Sequence, residues 1–224
     1  LTGTLNVDTT SPTLTMRGYS SGSTIANGAY KNERVTFTAS DRNHNRLYYK
    51  TPTSSNYSYT TGNTYTSGTT NGWYYVYAED TMGHRSPEYS FYYDNTAPTG
   101  RVYSNGTSIA SGAYISKAFS YSATDNGSGV TSIYYKTPVS GTYQPYSSGT
   151  VIPANAGDGW YFFYSVDRCG NQSVTTSVYL ETQAPLVEIY RNDELAYSKT
   201  VTGAGTFDTD IYLNPNDKLR ISCD

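Results

Sequence analysis

Aspartate recurs in this chain at positions shared by two similar halves. Asp8, Asp41 and Asp80 lie at turns of the first half, and Asp94, Asp125 and Asp167 hold the matching positions in the second. Carboxylate oxygens are the ligands calcium prefers, about six to eight oxygens at a time once carbonyls are counted. An aspartate at the start of a turn can instead fold its carboxylate onto the N–H groups that follow, which needs no ion. Both readings are open for all six residues. The second recurring set is aromatic: Trp73, Tyr75 and Tyr77, then Trp160, Phe162 and Tyr164, at alternate positions of two matching segments. Rings standing out from a strand, with hydroxyl tips, suit sugar rings or a protein partner. The alternative is that tyrosine is simply a good strand residue and the rings shield one another.

Signals of catalysis are poor. The histidines, His44 and His84, are both in the first half, and His84 matches Asn171, which points to a role in a turn. No nucleophile elbow, phosphate-binding glycine loop or zinc spacing is present. Lys50 and Lys136 recur within matching Tyr-Tyr-Lys-Thr-Pro segments and read as solvated strand lysines rather than as crosslinking residues. Cys169 and Cys223 are too few for a disulfide framework. Two unpaired thiols are the simpler reading, because a bridge needs a close approach that spacing alone does not give. A net charge of −3 excludes the basic footprint of a nucleic-acid binder. No apolar run reaches the length of a membrane span, and no secretory leader is evident. The chain opens in mid-pattern and is expected to be a piece of something longer.

The elements that must position these residues are strands. In Gly72–His84 and Gly159–Asn171, alternate residues place Tyr74, Val76 and Ala78, and then Tyr161, Phe163 and Ser165, on one face. That face is expected to be core, leaving Trp73 and Trp160 with their alternate neighbours outside. Trp73 and Trp160 lie 87 residues apart and Pro98 follows Pro12 by 86, so the halves are repeats of one length. A unit of this size can bury a core unaided. Val35-Thr36-Phe37-Thr38-Ala39 and Phe119-Ser120-Tyr121-Ser122-Ala123 give the same alternation earlier in each repeat. Asp8-Thr9-Thr10-Ser11-Pro12, Asp94-Asn95-Thr96-Ala97-Pro98 and Glu181-Thr182-Gln183-Ala184-Pro185 read as short linkers stiffened by proline. Short strands with turn signals at roughly ten-residue spacing predict an all-β antiparallel sandwich.

The Asp-x-Thr-Ala-Pro linker, the Ala-x-Asp ending the second strand and the Gly-x-Tyr-x-Val-x-Ala-x-Asp-x-x-Gly pattern resemble the bacterial immunoglobulin-like repeats of surface and secreted proteins. The resemblance covers roughly 8–181 and implies tandem immunoglobulin-like sandwiches. The expected organisation is the end of a preceding repeat over 1–8, one repeat over 9–94, a second over 95–181, and a divergent or incomplete third β module over 182–224. In that third module Ile211-Tyr212-Leu213 and Leu219-Arg220-Ile221 are expected strands, and the module is expected to pair against the second repeat. In such a sandwich the chain entry and the loops after the second and penultimate strands share one pole, so three carboxylates would converge at each joint. Calcium is therefore the one cofactor to be weighed. The function implied is non-catalytic: a rod-like spacer and adhesion segment of a bacterial extracellular or cell-surface protein, with a host or cell-surface protein or glycan as partner. The alternative is a carbohydrate-binding accessory module of a secreted glycan-active enzyme.

Overall fold

The structure is a computed structural model that describes residues 7–183, 186–200 and 213–222. The described part is all β. In the first repeat the strands are β1 (Thr13–Gly18), β2 (Ala29–Lys31), β3 (Val35–Ser40), β4 (His44–Lys50), β5 (Ser58–Thr60), β6 (Thr64–Thr66), β7 (Gly72–Asp80) and β8 (Tyr89–Tyr93). They form a three-stranded sheet, β1-β3-β6, facing a five-stranded sheet, β2-β8-β7-β4-β5. In the second repeat they are β9 (Thr99–Ser104), β10 (Thr107–Ile109), β11 (Ala113–Ile115), β12 (Phe119–Thr124), β13 (Val130–Lys136), β14 (Gln144–Pro145), β15 (Val151–Ile152), β16 (Gly159–Asp167) and β17 (Thr176–Leu180). Here β10-β9-β12-β15 faces β11-β17-β16-β13-β14, the same pair of sheets built again. These are tandem immunoglobulin-like sandwiches.

The period-two pattern decides which side chains are inside. Along β7 and β16 every second residue is buried, from Tyr74 and Tyr161 to Asp80 and Asp167. Tyr74 stacks on Phe91, which meets Phe37 from the opposite sheet. Tyr74 and Tyr161 satisfy their hydroxyls by donating to the carbonyls of Thr70 and Gly157, four residues upstream. A buried phenol thus keeps its hydrogen bond, and burying a ring of this size stabilises by about 1.5–3 kcal/mol. One exchange between the cores can be traced atom by atom. Leu14 pairs with Ala39 in the first repeat, and Gly100 pairs with Ala123 in the second. A Cβ on Gly100 would lie 1.6 Å from the Tyr121 hydroxyl, so the tyrosine fills the space left by the missing side chain. In the first repeat the matching aromatic is Phe37, and Leu14 fits beside it.

Two features differ from the sequence expectation. The sandwiches are not wholly antiparallel: β2 pairs parallel to β8, and β11 parallel to β17. After β1 the chain crosses to the other sheet, lays down this short edge strand, and crosses back for β3. The third region forms its own sheet from β18 (Leu186–Arg191), β19 (Glu194–Thr200) and β20 (Lys218–Ser222), in the order β19-β18-β20. Its first strand takes both neighbours from its own region instead of pairing with the second repeat, because a tight turn at Asn192 and Asp193, both at positive φ, folds β19 straight back onto it. Ala184, Pro185, Ile211, Tyr212 and Cys223, together with residues 1–6 of the expected preceding repeat, lie outside the described residues.

Candidate functional site

The loop after the long strand presents the aspartates. In Asp80-Thr81-Met82-Gly83-His84 the Asp80 side chain is buried; its Oδ1 accepts from the N–H groups of Met82 and His84, both at 2.8 Å. The His84 ring lies 2.8 Å from Oδ2 through Nδ1. In the second repeat Asp167 Oδ1 accepts from Asn171 N at 2.8 Å, and Oδ2 from the Asn171 amide at 2.7 Å. Histidine and asparagine therefore do the same work: each supplies an N–H to the second oxygen of a buried turn carboxylate. Burial alone would raise the Asp80 pKa, but the N–H groups and ring of His84 and the N–H of Met82 outweigh it and hold the group below its ordinary value.

At the junction between the repeats one oxygen from each of Asp94, Asp125 and Asp167 lies within 4.8 Å of the others. Asp94 is the pivot, with no solvent exposure. Its Oδ1 accepts from the Asn71 amide at 2.7 Å and from Thr96 N at 3.0 Å, and its Oδ2 from Ser128 N of the second repeat at 2.6 Å. Asp125 accepts from the N–H groups of Gly127 and Gly129. Gly127 also leaves the space that Asp94 occupies, since a Cβ there would stand 2.1 Å from its Oδ2. Further bonds cross the junction. Tyr92 donates to the Gly127 carbonyl at 3.2 Å, and the Asn171 amide donates to the Asp94 carbonyl at 2.9 Å.

The first repeat assembles a different set at its entry. Asp8, Asp80 and His84 come together there, and Asp41 is not in the group. The cause is the shorter loop after β3. Asp41 turns onto Asn43 N at 2.6 Å, while the Asn43 amide reaches Asp8 at 2.7 Å, as the Ser128 N–H reaches Asp94 in the second repeat. The Thr10 N–H and hydroxyl, with the Asn43 amide, lower the Asp8 pKa to about 2. As a calcium site the second junction has three carboxylates, with the Asp94 and Thr96 carbonyls close by. Those carbonyls face the Asn171 amide, and each carboxylate already accepts N–H donors. All six aspartates act as turn caps or junction acceptors in this arrangement.

The aromatic residues form a platform on the outer face of each five-stranded sheet. Trp73, Tyr75 and Tyr77, and Trp160, Phe162 and Tyr164, are all half-buried. The tryptophans meet Tyr92 and Tyr179 edge-on at 5.4 and 5.3 Å, and Tyr30 and Tyr114 edge-on at 5.6 Å in both repeats. Stacked pairs continue the surface, Tyr48 on Tyr77 and Tyr134 on Tyr164. The side chains of Lys50 and Lys136 lie across these rows, Nζ standing 4.5 Å from the Tyr75 ring centre and 4.9 Å from that of Phe162. Gly72 and Gly159, at φ of 131° and 130°, open each row where Pro52 and Pro138 close against it. In the second repeat this leaves a cleft of about 510 Å3, lined by Lys136, Pro138, Val139, Trp160, Phe162 and Tyr179. Alternation in the sequence identifies the central row. The flanking tyrosines from β2, β8, β11 and β17 join it only through strand order.

Of the residues with nucleophilic or acid–base potential, Cys169 is unpaired and buried against the Tyr92 carbonyl at the junction, and burial pushes its thiol up to about 11. His44 points Nε2 at the Gly62 carbonyl at 3.3 Å.

No protein-family model matches the chain, and no curated protein is similar to it at a significant level. Among solved structures it is similar to the fibronectin(III)-like modules of Clostridium thermocellum CbhA, with 14% identity, 73% of this chain and 92% of that chain covered, and a TM-score of 0.33. It is also similar to SGBP-B of the Bacteroides ovatus mixed-linkage glucan utilization locus, solved with a mixed-linkage heptasaccharide. That match has 16% identity, covers 72% of this chain and 46% of that chain, and has a TM-score of 0.21.

Proposed function

We propose that this chain is a non-catalytic spacer and adhesion segment of a bacterial extracellular or cell-surface protein, in which successive sandwiches are held at a fixed angle. The observation that carries this reading is the junction at Asp94. A fully buried carboxylate at the end of one repeat accepts from the linker that follows it and from a loop of the next repeat, and side chains on both sides add further bonds. A flexible tether would leave such groups to water, since linker backbone normally runs exposed. Each histidine has one ring nitrogen held, His84 Nδ1 by Asp80 and His44 Nε2 by the Gly62 carbonyl, which fits the non-catalytic reading. The Cys169 thiol, with its raised pKa, stays protonated and unreactive at neutral pH.

Small-angle X-ray scattering on the wild-type chain and on Asp94→Ala tests this. The expected result is one extended particle whose profile fits a fixed arrangement of the two sandwiches, and a profile for the variant that needs an ensemble. A wild-type profile that already requires freely reorienting modules overturns the reading.

A further inference from the structure

We infer that the two aromatic platforms bind an acidic polysaccharide, with pyranose rings laid against the tryptophan and its neighbours and the sugar's acid groups held by Lys50 and Lys136. This names the ligand of the adhesive face and rests on the chain being a binding segment, not on the stiffness of its junction. Binding and scattering measurements therefore fail separately.

The two repeats agree on their outer faces more than in several parts of their cores. Their interiors keep Tyr74 and Tyr161 but differ at several other positions: Val76 is matched by Phe163, Phe91 by Val178 and Tyr93 by Leu180. Cores tolerate such exchanges when total volume is kept. The half-exposed platform has no comparable packing constraint, yet Trp73 and Trp160, Tyr92 and Tyr179, and Lys50 and Lys136 are the same residue types at the same register. Tyr30 and Tyr114 agree as well, and Tyr75 is replaced only by another ring, Phe162. At the other end of the same face the agreement stops, with Arg46 matched by Ser132 and Glu79 by Val166. On this outer face the agreement runs through the tryptophan, the lysine and the stacked pairs, Tyr48 with Tyr77 and Tyr134 with Tyr164, and ends where the rings end, as a shared contact surface would.

Charge on the platform points the same way. Neither Lys50 nor Lys136 is in an ion pair among the described residues, although each is held over a ring and lies beside the tryptophan row. Arg168, an exposed residue of the second repeat, adds a guanidinium over Tyr30 at the edge of the first platform. A chain of net charge −3 thus places unpaired cations on its aromatic surface. A flat ring face beside a free ammonium matches a pyranose that carries a carboxylate or sulfate. The ligand should itself repeat, because the platform does. A proline-rich peptide also docks in aromatic grooves, but it brings no acid group for the lysines.

The test is biolayer interferometry of the whole chain against a panel of acidic polysaccharides (polygalacturonate, alginate, hyaluronate, chondroitin sulfate), methyl-esterified polygalacturonate, neutral glucans and a proline-rich peptide. At least one acidic polymer should bind roughly tenfold or more tighter than any uncharged one and weaken as salt is raised. Lys50→Met with Lys136→Met should abolish that preference while keeping the lysine stems' packing. Trp73→Ala and Trp160→Ala should each weaken binding, with melting curves confirming that the variants are folded. The inference is overturned if no acidic polymer binds, if esterified and free polymers bind alike, if binding survives the loss of both tryptophans, or if only the peptide binds.

Discussion

Replacing Asp94 weighs two opposing effects at the junction. Three carboxylates with oxygens within 4.8 Å of one another repel, by roughly 3 kcal/mol per pair at an effective dielectric near 20. If that term governed the site, Asp94→Asn would stabilise the protein. The hydrogen bonds point the other way. Both Asp94 oxygens face N–H donors, from Asn71 and Thr96 on one side and Ser128 on the other. An asparagine must turn its NH2 toward one of those donors, and an alanine abandons all three. Stranding the buried Ser128 N–H costs about 1–3 kcal/mol, and each of the two more exposed bonds contributes about 0.5–1.5 kcal/mol. Each of the three carboxylates accepts N–H donors whose dipoles offset the repulsion, so we expect the hydrogen bonds to win. Asp94→Ala should cost about 2–4 kcal/mol and Asp94→Asn about 1–2 kcal/mol. For a module of this size 1 kcal/mol moves the midpoint by about 4–8 °C, so the alanine variant should lower one calorimetric transition by at least about 8 °C. An Asp94→Asn midpoint above that of the wild type would refute the reasoning and show that repulsion dominates.

Three further outcomes are expected. Gly100→Ala should destabilise the second repeat by about 1–3 kcal/mol through overpacking against the Tyr121 ring, whose hydroxyl, Cζ and Cε2 a Cβ would meet at 1.6, 2.3 and 2.7 Å, and adding Tyr121→Leu, which removes the ring, should recover part of it; a double-mutant cycle without coupling refutes this. Asp8 and Asp80 have folded pKa values below the ordinary 3.8, so the stability they contribute is present above that value and lost as pH falls toward about 2. The melting midpoint of the first repeat should therefore drop between about pH 4 and pH 2, and a flat profile there counts against the capped-turn account. Because N–H donors already occupy the junction carboxylates, midpoints in calcium and in chelator should agree within about 2 °C. An ion bound at about 100 times its Kd would add about 2.7 kcal/mol and be plain to see.

Much of this molecule is legible without coordinates, for one physical reason. Strand side chains alternate strictly, so Tyr74, Val76 and Ala78 inside implies Trp73, Tyr75 and Tyr77 outside, and the repeat supplies the same statement twice. The Asp-x-x-Gly turns are equally local, since Asp80 and Asp167 are satisfied within four residues of chain. What the sequence could not decide is which distant groups meet. Asp41 stays out of the first joint, where His84 joins Asp8 and Asp80 and the Asn43 amide reaches Asp8, because a shorter loop fixes the direction in which each side chain points. The crossing that makes β2 and β11 parallel edge strands, and so brings Tyr30 and Tyr114 beside the tryptophans, depends on how two sheets close over one core. Alternation along a strand is set by the backbone of neighbouring residues. Convergence at a junction or on a sheet face is set by packing between segments tens of residues apart, and only the tertiary structure contains it.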